Sequence, residues 1–177
     1  MPNWCNNNVE LSHPDKAMVE RAKKAFDDGR LLEEFIPLPA ELKDTTAPAR
    51  ETDEALMEKY GASDWYSWCI NNWGTKWDIS PYGSDIDQYG TLQGSFDSPW
   101  GPPIQAYEKL EEMGFQVRAY YYEPGMGFAG VYDGGDDYYE FSGMTADEVQ
   151  DMIPEALDEM YGISDNMREW EEENQDE

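Results

Sequence analysis

Residues 64–77 read Asp64-Trp65-Tyr66-Ser67-Trp68-Cys69-Ile70-Asn71-Asn72-Trp73-Gly74-Thr75-Lys76-Trp77 and hold four of the chain's seven tryptophans. Trp65, Trp68 and Cys69 stand at i, i+3 and i+4, so they share one face of a short helix. Gly74 supplies a left-handed stop. Thr75-Lys76-Trp77 then lead into β-compatible residues. The order is helix, glycine stop, strand, and the tryptophan density makes the segment either core or binding surface.

Upstream, Asn3 to Leu11 reads as a first strand through Trp4, Val9 and Leu11. Ser12 with Asp15 three residues on resembles a capping box, and Met18, Ala22, Ala25 and Phe26 mark one helical face that Gly29 closes. The proline-rich run Leu31 to Leu42 is expected to lie extended across the core. Residues 43–53 read as a loop, and Glu54 to Tyr60 as a helical turn. Downstream, Ser80-Pro81-Tyr82-Gly83-Ser84 reads as a turn and Thr91 to Asp97 as a strand. Pro99 to Pro103 form a rigid entry to a helix from Ile104 to Met113. Phe115 to Tyr120 alternate as a strand, and Phe128 to Tyr132 and Tyr138 to Phe141 extend it into a meander. Thr145 and Glu148 form a capping box for a helix that Pro154 kinks or restarts. Ser164 is expected to cap a last short helix through Trp170, with a frayed tail from Glu171 to Glu177.

Leaving out an inserted helical segment at 30–63, the order is strand, helix, strand, strand, helix, strand. That is the ferredoxin-like split βαβ arrangement of an α+β protein with an antiparallel sheet. Two further meander strands and C-terminal helices extend it. The expected division is 1–143 for the ferredoxin-like domain and 144–177 for an acidic helical extension.

A hydrophobic share of 40% with 14% aromatics is enough for a core, but the formal charge is −27, from 39 acidic and 12 basic side chains. Residues 1–50 carry 7 basic and 9 acidic side chains, whereas 51–177 carry 5 and 30. Binding a phosphate backbone needs clustered Lys and Arg, so direct nucleic-acid and anionic-membrane binding are disfavoured. A basic protein surface would be attracted instead. Cys5 and Cys69 sit in apolar-aromatic surroundings and read as free buried thiols of a reducing compartment. The N-terminus shows neither a basic n-region nor an apolar run, so the expected location is the host cytoplasm.

Met1-Pro2-Asn3-Trp4-Cys5-Asn6-Asn7, Phe35-Ile36-Pro37-Leu38-Pro39, the Trp-Tyr-Ser-Trp…Asn-Trp-Gly-Thr-Lys-Trp block at 65–77 and Ser98-Pro99-Trp100-Gly101-Pro102-Pro103 carry a family likeness. Together with the Glu123-Pro124-Gly125 turn and Gly130, they resemble the YubB-like family of phages and conjugative plasmids. The resemblance spans residues 1 to about 141. It implies a ferredoxin-like fold and a mobile-element origin, and it implies no enzyme activity.

Raw materials for catalysis are few. His13 is the only histidine and sits beside a helix cap, and neither cysteine has a sequence-adjacent basic partner to activate it. Gly125-Met126-Gly127-Phe128-Ala129-Gly130 matches G-x-G-x-x-G, yet a dinucleotide site needs that motif to open a helix, and here it reads as a hairpin turn. Asp85-Ile86-Asp87 starts like a calcium loop, but Phe96 stands where the bidentate Glu belongs. A metal held by Asp85 and Asp87 is a third, weaker option. A non-enzyme without cofactor is expected.

Two candidate binding sites remain. Residues 133–177 carry 17 acids against Arg168 alone. Asp147, Glu148, Asp151, Glu155, Asp158 and Glu159, extended by Asp133, Asp136 and Asp137, would form an acidic face. Such a face could mimic nucleic acid and inhibit a basic host protein, in an anti-defence or host-takeover role; it could equally be a solvated surface or an adaptation to salt. The alternative is a pocket in which Trp65, Trp68, Trp77 and Trp100 stack a small ligand or nucleotide while Lys76 meets its phosphate.

Overall fold

A computed structural model describes residues 2–174. Its architecture follows from the alternation along β1 (Trp4–Ser12). Cys5, Asn7, Val9 and Leu11 are buried on one side, while Trp4, Asn6, Asn8 and Glu10 point to the other. The chain then enters α1 (Lys16–Asp27), whose N-cap is Asp15 rather than Ser12. The Asp15 carboxylate accepts the Ala17 N–H at 2.9 Å, satisfying one orphan donor of the first turn. Val19, Ala22, Ala25 and Phe26 form the buried face of α1. Gly94 of the sheet lies beneath the Phe26 ring, where an added Cβ would stand 2.5 Å from it.

Short helices follow: α2 (Leu31–Phe35), α3 (Ala40–Lys43) and α4 (Glu54–Tyr60). The run expected to be extended is therefore helical at both ends, and its conformation has a remote cause. The Asp78 carboxylate accepts the N–H groups of Leu32 and Glu33 at 3.0 and 2.8 Å, capping α2 from far along the chain. Helix α5 (Trp65–Trp73) ends at Gly74, which is left-handed with φ 84°, and Asp64 caps its start.

Strand β2 (Ser80–Ile86) replaces the expected turn. Its pairing register shifts between Pro81 and Gly83, and it forms one edge of the sheet, where proline and a bulge are tolerated. Then come β3 (Leu92–Pro99), α6 (Ile104–Glu112), β4 (Gln116–Glu123), β5 (Phe128–Asp133) and β6 (Asp136–Glu140). The six strands run β2-β3-β1-β4-β5-β6, and every neighbouring pair is antiparallel. The first four make the ferredoxin-like unit. The connection from β1 to β2, which carries α1 to α5, crosses β3, and α6 carries the connection from β3 to β4 across β1. The meander strands extend the sheet beyond β4.

The main core lies on one face, between the sheet and α1, α2, α5 and α6. The opposite face is covered at β4 and β5 by α7 (Ala146–Met152), α8 (Glu155–Tyr161) and α9 (Ile163–Asn174). Ala129, Phe141, Val149, Ile153, Leu157 and Ile163 bury one another there, with Tyr120, Tyr122 and Val131 packed alongside. Tyr161 ties this layer to the sheet: its hydroxyl accepts from the Asn8 amide at 2.9 Å and donates to the Tyr120 carbonyl at 2.8 Å. The Thr145–Glu148 capping box is present, and Pro154 restarts the chain as α8. Asp158, not Ser164, supplies the acceptor at the start of α9, taking the Ser164 N–H at 2.8 Å. Residues 171–174 continue α9, and the rest of the expected frayed tail lies outside the described residues.

Candidate functional site

The five residues of the expected ligand pocket do not come together. Trp68 and Trp73 are 7% and 5% exposed and meet edge to face, with ring centroids 5.9 Å apart. The Trp73 indole N–H donates to the Ile36 carbonyl at 2.9 Å, so its one polar group is satisfied inside the core. Trp65 packs against the same core, partly buried. Lys76, Trp77 and Trp100 lie elsewhere, on the surface. Trp77 is 45% and Trp100 51% exposed, and Trp4, 43% exposed, joins them. Trp4 and Trp77 have ring centroids 6.3 Å apart. The Lys76 ammonium stands 4.1 Å from the centroid of Trp77 and 5.9 Å from that of Trp100.

Trp100 is held in place by its backbone. Its φ is 72°, and it is the non-glycine residue with positive φ among the described residues. An L-residue in the left-handed region costs about 1–2 kcal/mol, so the surroundings must enforce the conformation. They do so through buried polar contacts. The Trp100 N–H donates to the Asn3 carbonyl at 2.9 Å. The Thr75 hydroxyl donates to the Pro99 carbonyl at 3.3 Å, and the Ser98 hydroxyl to the Gly101 carbonyl at 2.7 Å. The Asn7 amide in turn donates to the Ser98 hydroxyl at 2.8 Å. Asn7, Thr75 and Ser98 are all buried. The motif 98–103 thus builds a rigid stem that displays an indole to solvent.

Trp4 is the member that sequence reasoning missed. The signal was present, since period-two alternation places Trp4 with Asn6 and Asn8 on the side opposite Cys5 and Val9.

The acidic residues divide as well. Asp147 pairs with Arg168 at 3.1 Å and Asp133 with Arg118 at 2.9 Å. Glu148 closes the capping box, where hydrogen bonds from Thr145 hold its carboxyl below the usual range. Asp158 caps α9. Asp136 accepts the Tyr121 hydroxyl at 2.6 Å, and burial raises its pKa against that bond. Asp137, its neighbour, sits opposite Val131 and therefore on the side of the C-terminal helices. Glu155, Asp158 and Glu159 line one groove together with Asp165, while Asp133 lines another with Glu10, Glu111 and Arg118. The carboxylates of Asp137, Asp151, Glu155 and Glu159 make no hydrogen bond or ion pair among the described residues.

Groups with catalytic potential are engaged structurally. His13 accepts the Asp15 N–H through Nδ1 at 2.9 Å, which leaves Nε2 to donate to the Met113 carbonyl at 3.1 Å. Burial, reinforced by Glu123, pushes the Cys5 thiol up; burial, then Glu33, pushes Cys69 up to about 12. Asp87 organises the β2–β3 hairpin, accepting from Tyr89 N–H at 2.8 Å, Thr91 N–H at 3.0 Å and the Gln93 amide at 3.0 Å. Among the described residues no group of three or more His, Cys, Asp or Glu is arranged to hold a metal. The glycine run turns β4 into β5: the Glu123 carboxylate accepts the N–H groups of Gly125 and Met126, each at 2.7 Å. Gly130 passes beneath Tyr121, where a Cβ would meet the ring. Among the described residues no helix is long and apolar enough to cross a membrane.

No protein-family model and no curated protein matches the sequence. Among solved structures, the chain is similar to the crystal structure of the protein api92 from Yersinia pseudotuberculosis, family-model DUF1281. The TM-score is 0.44 at 14% sequence identity, with 80% of this chain and 98% of that chain covered.

Proposed function

We propose that this chain is a non-catalytic binding protein that engages a basic host protein, of the kind that handles nucleic acid, and inhibits it by occupying its basic surface. The observation that carries the reading is the state of the carboxylates on the C-terminal layer. Asp137, Asp151, Glu155 and Glu159 have no internal partner among the described residues, and the helices that bear α7 and α8 carboxylates are fixed to the sheet by their own apolar cluster. Carboxylates without internal partners attract a basic partner at long range and help align it on arrival. The basic side chains do little to oppose this. Arg21, Lys23, Lys24, Arg30, Lys43, Lys59, Arg118 and Arg168 are all neutralised in ion pairs with the chain's own acids. The resemblance to the YubB-like family supports a phage or plasmid origin and, with it, an anti-defence or host-takeover role in the host cytoplasm.

Capture of partners from a host lysate, eluted along a salt gradient, tests the reading. Basic proteins should elute as salt rises, and a variant with Asp137→Asn, Asp151→Asn, Glu155→Gln and Glu159→Gln should release them earlier. Capture that ignores both salt and the four substitutions would remove it.

A second reading, sequestration of a small ligand or nucleotide, now rests on Lys76, Trp77 and Trp100 with Trp4, because Trp65 and Trp68 belong to the core. Lys76, whose ammonium lies over both Trp77 and Trp100, is the cation there that could meet a phosphate. Tryptophan emission that stays constant across a nucleotide panel would dispose of it.

A further inference from the structure

We infer that the exposed indoles of Trp77 and Trp100, which share the Lys76 ammonium, receive an arginine side chain of a basic protein partner, and that Lys76 holds the place until the partner arrives. The inference rests on the basic-partner reading and locates an anchor point for it, separate from the carboxylates of the C-terminal layer.

Three observations converge. The surface already holds a cation against aromatic faces, since the Lys76 ammonium lies 4.1 Å from one indole centroid and 5.9 Å from the other. A guanidinium is planar and more weakly hydrated than an ammonium, so it stacks on indole better than lysine does. The backbone of Trp100 is held at φ 72°, and its indole is left about half exposed. Strain enforced by a buried hydrogen-bond network to display one large side chain is characteristic of a functional site. Three indoles gathered on one exposed patch, with Trp4 beside Trp77, also match the composition of interface anchors, in which Trp and Arg predominate.

Charge decides which occupant fits. A formal charge of −27 repels a second copy of this chain and any polyanion, and it draws a cation in. Lys76 makes no ion pair among the described residues, so no carboxylate of this chain holds it against displacement.

Direct titration of the full chain with labelled hexaarginine and hexalysine peptides, at matched charge and low salt, tests the inference by fluorescence anisotropy. Hexaarginine should bind about two- to five-fold more tightly than hexalysine, the ratio expected of an exposed cation–π site, and should perturb tryptophan emission. Trp77→Ala and Trp100→Ala should each abolish the preference by weakening hexaarginine more than hexalysine. Trp77→Phe should restore part of it, and Lys76→Ala should widen it. Circular dichroism confirms that each variant is folded. Equal binding of both peptides, with no response to the tryptophan variants, would overturn the inference and leave the acidic-surface reading intact. If neither peptide binds, both readings fall. Competition by adenosine monophosphate at the indoles, with no arginine preference, would overturn it in favour of the small-ligand reading.

Discussion

Gly74 divides one tryptophan-rich segment into two regions of opposite fate. On its N-terminal side, Trp68 and Trp73 are buried and perpendicular to each other, and the polar edge of Trp73 is spent on the Ile36 carbonyl. On its C-terminal side, Trp77 is half exposed with a lysine over its face. The residues are chemically the same and lie within one short stretch. What differs is the frame that holds them: a capped helix packed on the sheet in one case, a loop braced against the strained Pro99–Trp100 stem in the other. An indole in the first setting contributes to stability. In the second it is a surface kept available at some cost.

Truncation should separate the two sides most widely. Trp73→Ala removes a buried ring and leaves the Ile36 carbonyl unpaired, which should cost about 3–5 kcal/mol in urea unfolding. Trp77→Ala should cost less than about 1 kcal/mol. Equal losses at the two positions would show that Trp77 is a core residue and would end the contrast.

Asp64 sets the start of the buried side, and its removal ranks next. Its carboxylate accepts the Ser67 N–H at 2.8 Å, the Ser67 hydroxyl at 3.0 Å and the Ala49 N–H at 3.2 Å. Burial pushes its pKa up, but these hydrogen bonds outweigh burial and hold it below the usual value. Asp64→Ala should therefore cost about 2 kcal/mol at neutral pH, more than an exposed cap because the amides it serves are partly buried. The sign of the pH dependence follows from the depressed pKa. The contribution is present above the unfolded value of about 3.9 and is lost as pH falls through the lower folded value. The stability gap between the two proteins should close in that acidic window. A gap that stays constant down to the lowest pH would mean that the charge of Asp64 contributes nothing.

Both regions were legible in the sequence to different depths, and the reason is the range of the forces involved. The α5 helix, its glycine stop and the capping box of α7 depend on residues within four positions of one another, and local spacing reveals them. The order of strands and helices also survived, because period-two alternation and glycine punctuation are local. Helix α2 was hidden because its cap, Asp78, arrives from the far side of the tryptophan helix. β2 was hidden because Pro81 and Gly83 read as a turn until the strand is known to lie at an edge. The division of the tryptophans was hidden too: composition counts indoles, and only the tertiary frame decides which are covered. The acidic face suffered the same limit. Spacing could not show that Asp158 would be taken up by Ser164, or Asp136 by Tyr121.

The smallest effect is the most diagnostic for the exposed side. Replacing Trp100 by Ala or by Gly removes the same indole, so any loss of ring contacts is common to both variants and cancels in their difference. What remains is the backbone. At an ordinary position glycine is the less stable of the two, by roughly 0.5–1 kcal/mol within regular structure, because it loses more chain entropy on folding. At φ 72° alanine instead carries the left-handed penalty of about 1–2 kcal/mol that glycine escapes. Trp100→Gly should accordingly be the more stable variant by about 1 kcal/mol in paired urea unfolding curves, an inversion of the usual order. If alanine proved the more stable, the residue would be relaxing out of the left-handed region at no cost. The stem would then store no strain, and the indole would be presented at no cost to the stability of the fold.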